Sequence, residues 1–249
     1  MNIAILTGAT GGLGGEYLDL LKKEDLDQIW IIGRRRERLD ALAENDKRVI
    51  SLALDLTLKE SFKTLSDLLE KEKANVRFLI NNAGFGTLGY FEEISPAKLS
   101  ECVSLNAVGV VEMCALCLPY MKKGSGIINV SSISSFAPNP RLAVYSATKA
   151  FVKNLSLSLR EELKVRGINV LSLCPGPMKT EFLSVAGIER GESKMFDTLP
   201  KTLPRKAAQG SLRALKKGKA TYTPRLLFKV YRVLSAVVPH PLLVKFTRV

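Results

Sequence analysis

At 249 residues, with 46% apolar and 24% charged side chains, the chain has the size and balance of one large soluble α/β domain with a well-filled core. Its formal net charge of +13 would point to nucleic acid if it were spread over that domain. From Thr198 to Val249, however, there are twelve Lys or Arg and no Asp or Glu, whereas the first 197 residues hold 25 basic and 24 acidic side chains. The basic character belongs to the C-terminal tail, and a nucleic-acid partner is not expected.

Residues 2–6 form an apolar run of strand type, followed at once by Thr7-Gly8-Ala9-Thr10-Gly11-Gly12-Leu13-Gly14 and a helical pattern from about Gly15. Strand, glycine turn and helix is the order that sets backbone N–H groups and a helix N-terminus against a phosphate. Gly8 permits the tight turn, and Gly12 and Gly14 leave room for a pyrophosphate and for close helix packing. The second strand, Ile29–Ile32, ends in Gly33-Arg34-Arg35-Arg36. An Asp or Glu at the end of this strand usually meets a free ribose 2′-OH. Gly33 stands there instead, and arginine offers a charged fork suited to a 2′-phosphate, so NADP(H) is favoured over NAD(H). Arg36 reads as a solvated helix start.

Strand and helix continue to alternate through Val49–Leu54, a helix from about Leu58 to Lys73, and Phe78–Ile80. This rhythm predicts a doubly wound, Rossmann-like parallel sheet with helices on both faces. Asp55 with Leu56, and Asn81-Asn82-Ala83-Gly84, fall at the carboxyl ends of their strands, where ligands bind in such sheets. Pro96 opens a long helix running to about Met121 and containing Asn106. The fifth strand, Ile127–Val130, runs into Ser131-Ser132, and the sixth, Val170–Leu173, into Cys174-Pro175-Gly176-Pro177-Met178-Lys179-Thr180. Between them, Tyr145-Ser146-Ala147-Thr148-Lys149 lies at a helix start. Residues i and i+4 share a helix face, so the Lys149 ammonium can sit near the Tyr145 phenol and favour its ionised form. Such a phenol is a usable proton donor or acceptor.

The four cysteines, at 102, 114, 117 and 174, make no disulfide framework. Cys114-x-x-Cys117 lacks a second Cys/His pair and reads as buried thiols, not as a metal site. No basic n-region precedes a long apolar stretch, so no signal peptide is expected, and the thiols suggest a reduced, cytoplasmic setting.

Taken together, the Thr7-Gly8-x-x-x-Gly12-x-Gly14 turn, Asn81-Asn82-Ala83-Gly84, Asn106, Ser132, Tyr145-x-x-x-Lys149 and Pro175-Gly176 with Thr180 resemble the short-chain dehydrogenase/reductase family in its single-domain form. The resemblance covers about residues 3–182 and places Ser132 thirteen residues before Tyr145. It implies that Tyr145 exchanges a proton with a carbonyl or hydroxyl oxygen and that Ser132 holds that oxygen. Lys149 would lower the Tyr145 pKa and grip the nicotinamide ribose, and Asn106 would help anchor a proton-conducting water; the plainer alternative for Asn106 is a helix-kinking polar residue in the core. It also implies that Asp55 meets adenine, that Asn82, Ala83 and Gly84 line the adenosine ribose, and that Thr180 binds the carboxamide beside Pro175 and Gly176. The substrate pocket is expected from the loop after Ser132, with Phe136 and Pro138, and from about residues 181–203, with Phe182, Met195 and Phe196 as apolar candidates. Family practice implies a homodimer through the helices holding Asn106 and Lys149.

The tail departs from the family. The short strand and glycine-rich close of many relatives are absent, which divides the chain into a domain at 1–223 and an extension at 224–249. Within a helix at Arg225–Val238, Leu227, Val230, Tyr231, Leu234, Val237 and Val238 are expected on one face and Arg225, Lys229 and Arg232 on the other. That segment either rests on an anionic membrane or packs on its own domain or a second subunit. The reading that follows is an NADP(H)-dependent oxidoreductase for an apolar ketone, aldehyde or alcohol. Its rivals are an NADP(H)-binding sensor on the same fold and a peripheral membrane protein working through its tail.

Overall fold

The computed structural model describes residues 1–178, 180 and 198–247. Seven parallel strands form one sheet in the order β3-β2-β1-β4-β5-β6-β7. They are β1 (Asn2–Thr7), β2 (Gln28–Gly33), β3 (Val49–Ala53), β4 (Asn75–Asn81), β5 (Gly126–Val130), β6 (Asn169–Leu173) and β7 (Thr221–Tyr222). β4 starts earlier than its apolar run suggests, because Asn75 and Val76 pair with Asn2 and Ile3 across a register shift.

The helices are α1 (Gly12–Leu21), α2 (Arg36–Ala43), α3 (Lys59–Lys71), α4 (Pro96–Val103), α5 (Gly109–Cys117), α6 (Ala143–Leu163), α7 (Pro204–Lys216), α8 (Leu226–Val237) and α9 (His240–Leu243). Period-two alternation sends successive strand side chains to opposite faces. Ala4, Leu6, Ile29 and Ile31 meet α1 and α7, through Leu13, Tyr17, Leu18, Ala208 and Leu212. Ile3, Ile5, Trp30 and Ile32 meet α3, α5 and α6, through Leu65, Leu69, Val110, Met113 and Val152. Both faces are therefore dry, as the continuous apolar strand runs require. The helix from Pro96 to Tyr120 is long and apolar enough to cross a membrane by length and composition, yet it buries Cys102, Asn106, Val110, Met113, Cys114 and Cys117 in this core.

Two expectations need correction. A short seventh strand does exist: Ser172 and Cys174 donate their N–H groups to the Ala220 and Tyr222 carbonyls. Two residues carry no periodicity for a sequence reading to detect. The inner face of α8 is also not the one expected. Phe228, Tyr231 and Ser235 face the domain, while Leu227, Val230, Leu234 and Val237 are exposed. The inner set is fixed by a ready-made socket: Phe228 lies over Gly176, where an added Cβ would come within 2.1 Å of its ring.

Candidate active site

The strand order reverses between β1 and β4, and the crevice at their carboxyl ends is where open α/β sheets bind ligands. A cavity of about 390 Å³ opens there. Gly8 turns the chain out of β1 at φ +68°, a conformation that disfavours any residue with a Cβ. Thr7 is the knot beneath that turn. Its hydroxyl accepts from the N–H groups of Asn82 (3.0 Å) and Ala83 (2.9 Å), while the Asn82 amide donates to the Thr7 and Gly8 carbonyls at 3.2 and 2.9 Å. The two loops are thereby stitched into one rigid floor. Gly14 serves packing and does not line the crevice: a Cβ there would stand 2.2 Å from the Gly8 carbonyl oxygen.

Gly11 caps α1 with no side-chain bond, which leaves the first-turn N–H groups facing the crevice. Thr10, Gly12 and Leu13 line the same end, with Thr180 resting over Gly12. Arg34 and Arg35 line the far wall beyond β2. Arg34 pairs with Glu101 at 2.9 Å and Arg35 donates to the Thr10 hydroxyl at 3.2 Å, both at the exposed rim. Asp55 accepts from the Thr57 N–H and hydroxyl at 2.9 and 2.8 Å, a local turn that fixes its carboxylate and Leu56 at the crevice wall.

At the inner end, β5 delivers Ser132 and α6 delivers Tyr145 and Lys149, one turn apart. All three line the cavity. The Ser132 and Tyr145 side chains are hydrogen-bonded, and the Ser132 hydroxyl also accepts from the Ser134 N–H at 3.1 Å. Ser131 also borders the cavity, but its hydroxyl is engaged as a brace, donating to the Lys149 carbonyl at 2.7 Å, whereas Ser132 is the one paired with Tyr145. The Lys149 ammonium donates to the Val130 carbonyl at 2.9 Å and stands 5.7 Å from the centroid of the Tyr145 ring.

The protonation of this pair departs from expectation. Burial pushes the Tyr145 phenol above its ordinary value and outweighs the opposing Ser132 hydrogen bond. Burial likewise draws the Lys149 ammonium down to about 8. Removal from water disfavours both charged forms, and this cost exceeds the benefit that Lys149 was expected to bring to Tyr145. The phenol is held as an acid.

Asn106 lies behind Lys149 and outside the cavity lining, fully buried in a π-helical turn at Ser104–Val108 that interrupts the predicted long helix. Its carboxamide accepts from the Phe85 N–H at 3.0 Å and donates to the Phe85 carbonyl at 2.8 Å. It thus clamps the chain next to Gly84, where an added Cβ would meet Asn106 at 2.7 Å and the Lys149 ammonium at 3.3 Å. One extra residue per turn, as in a π-turn, re-aims a side chain of this kind.

Pro175 and Gly176 line the wall opposite, joined by Ile133, Leu142, Met178, Leu199 and Tyr231. Tyr231 comes from α8 and packs edge-on against Phe136, with centroids 5.8 Å apart. Of the expected pocket residues, Phe136 is buried behind Tyr231 and Pro138 is exposed, so neither lines the cavity. Phe182, Met195 and Phe196 lie outside the described residues. Sequence reasoning missed Tyr231 and Leu142 as wall residues, whereas Leu199 falls in the 181–203 stretch expected to supply the pocket, though it was not singled out. The Phe228/Tyr231 spacing of three was the available signal, masked by the larger apolar stripe on the same helix.

The glycine floor, the open helix N-terminus and the cationic far wall fit a nicotinamide dinucleotide laid along the crevice. The comparisons agree. The chain belongs to the short chain dehydrogenase family, whose pattern it matches over residues 2–189. It is 33% identical over 193 residues to a very-long-chain 3-oxoacyl-CoA reductase of Bos taurus, covering 73% of this chain and 61% of that protein. Its fold is similar to that of a short-chain dehydrogenase from Sphingobium yanoikuyae in complex with NADPH, with a TM-score of 0.80, 27% identity and 96% of each chain covered. A short chain dehydrogenase/reductase from Burkholderia phymatum in complex with NAD shares the fold at a TM-score of 0.81 and 20% identity, over 94% of this chain and 92% of that one. The class is therefore an oxidoreductase of the short-chain dehydrogenase/reductase family with a site for NAD or NADP.

Proposed function

We propose that this protein is an NADP(H)-dependent reductase or dehydrogenase acting on the carbonyl or hydroxyl carbon of an apolar substrate. The observation that carries the reading is the hydrogen-bonded Ser132–Tyr145 pair, with buried Lys149 one helical turn away, at the closed end of a dinucleotide crevice. Nicotinamide, when bound, supplies or accepts the hydride. Ser132 holds the substrate oxygen by hydrogen bond, and Tyr145 gives that oxygen its phenolic proton in reduction or takes the hydroxyl proton in oxidation. Lys149 holds positive charge beside the phenolate as it forms. The Val130 carbonyl keeps Lys149 in place from behind, and Asn106 fixes the backbone at Phe85 beside it. Arg34 and Arg35, together with the absence of an acidic side chain at Gly33, support preference for the 2′-phosphorylated cofactor.

Ile133, Leu142, Met178, Leu199 and Tyr231 support an apolar substrate, as does similarity to a reductase named for very-long-chain 3-oxoacyl-CoA. Exposed Val103, Val108 and Val111 along the helix from Pro96, with exposed Phe151 and Leu157 on α6, support a homodimer through these two helices. A panel of apolar ketones and alcohols, run with NADPH/NADP and NADH/NAD in parallel, tests the reading. It predicts turnover with kcat/KM at least about tenfold higher for the phosphorylated cofactor, a preference of about 1.4 kcal/mol. Tight NADPH binding without turnover anywhere in the panel would instead favour the sensor reading.

A further inference from the structure

α8 has three distinct sides. At 3.6 residues per turn, Leu226, Leu227, Val230, Val233, Leu234 and Val237 fall within an arc of roughly 120°. All six are exposed, Leu226 and Val237 by 75% and 73%. Phe228, Tyr231 and Ser235 occupy the inner side. Arg225, Lys229 and Arg232 form the flank between inner and outer sides.

Scattered apolar residues on a protein surface need no explanation, but a continuous helical stripe of six does. Three features on this helix select its occupant. The segment from Thr198 onward carries twelve Lys or Arg and no acidic residue, so a second copy presenting the same segment would bring like charge to like charge. The apolar stripe is unsuited to a nucleic-acid backbone, which is met by cations and not by a dry face. A twelve-residue helix is about 18 Å long, too short for a bilayer core of about 30 Å, yet suited to lying in its surface. We propose that α8 docks flat on an anionic lipid bilayer, its outer stripe entering the interface and its basic flank meeting the headgroups.

The docking has a consequence for the cavity. Tyr231, on the inner side of the same helix, lines the cavity wall, and Phe228 rests on Gly176. The bilayer surface thus lies about one helix diameter, ~10 Å, from the cavity wall. A lipid-soluble substrate would reach Ser132 and Tyr145 without crossing bulk water. That consequence rests on the proposed apolar substrate, whereas the docking does not, and vesicle binding is read without any turnover.

The test is co-sedimentation of the full chain with phosphatidylcholine vesicles, with and without phosphatidylserine, at low and high salt. The expected result is pelleting with the phosphatidylserine vesicles, at least tenfold weaker binding to phosphatidylcholine alone, and loss as salt screens the basic flank. Val230→Asp with Val233→Asp should reduce binding at least tenfold while leaving NADPH binding and the unfolding midpoint unchanged, because both side chains face outward. Absence of pelleting with anionic vesicles overturns the proposal, and so does equal pelleting of the double variant. Should the intact chain ignore vesicles and the double variant instead dissociate an oligomer in size-exclusion chromatography, the stripe is a contact between copies. The lipid and salt dependence of the unaltered chain decides the matter even if the variant misfolds.

Discussion

At the scale of single residues, the site is governed by burial. Lys149 is the informative case, because its ammonium is drawn down from 10.5 to about 8 by desolvation. Between those values the unfolded chain binds more protons than the folded one, so stability rises with pH through that window. Below about 8 the contribution is fully lost. Urea unfolding of the wild type and of Lys149→Met should therefore give a stability difference that grows in favour of the wild type by roughly 1 kcal/mol per pH unit from about pH 8 to pH 10. Tyr17, whose phenol burial raises, acts with the opposite sign above pH 10 but is common to both proteins and cancels; Tyr145 lies beside Lys149 and does not cancel, which is why the comparison stops at pH 10. A flat difference would mean that Lys149 is not desolvated.

At the scale of elements, the coupling to test is between the β6 loop and α8. Gly176→Ala would bring its Cβ to 2.1 Å from the Phe228 ring and should cost about 2–3 kcal/mol by denaturant unfolding. In a Phe228→Ala background the same change should cost at least about 1 kcal/mol less, since its collision partner is gone. Additive losses would contradict this contact. The elements also show what a sequence can reveal. Six strands and the placing of the glycine turn, Ser132, Tyr145 and Lys149 were legible because each rests on local periodicity or a fixed spacing. The π-turn at Asn106 was not, since one extra residue per turn leaves the apolar pattern of a long helix almost intact. The inner face of α8 was misread for a related reason: its seat is set by the absent side chain of Gly176, 52 positions before Phe228 and invisible to any periodicity along the helix. Thr7 and Phe85 were missed as supports because their roles lie in backbone partners.

At the scale of the whole molecule, the charge asymmetry, the doubly wound sheet and the exposed apolar helices divide the surface into working regions. The crevice occupies the carboxyl edge of the sheet, and α8 closes one side of it. The exposed Val108 and Phe151 belong to a separate region, on α6 and the helix before it. The proposed homodimer predicts a solution mass near twice 27.3 kDa by light scattering, and Val108→Asp with Phe151→Glu should return it to the monomer. A monomeric wild type would contradict that interface without touching the catalytic reading.

That catalytic reading is tested most directly by hydride transfer from NADPH deuterated at the transferred position. The intact chain should place deuterium on the carbonyl carbon of a ketone identified in the panel. Tyr145→Phe should bind NADPH with unchanged affinity and lose at least about 100-fold in kcat, the scale of a lost general acid. Unchanged turnover in Tyr145→Phe would contradict the account.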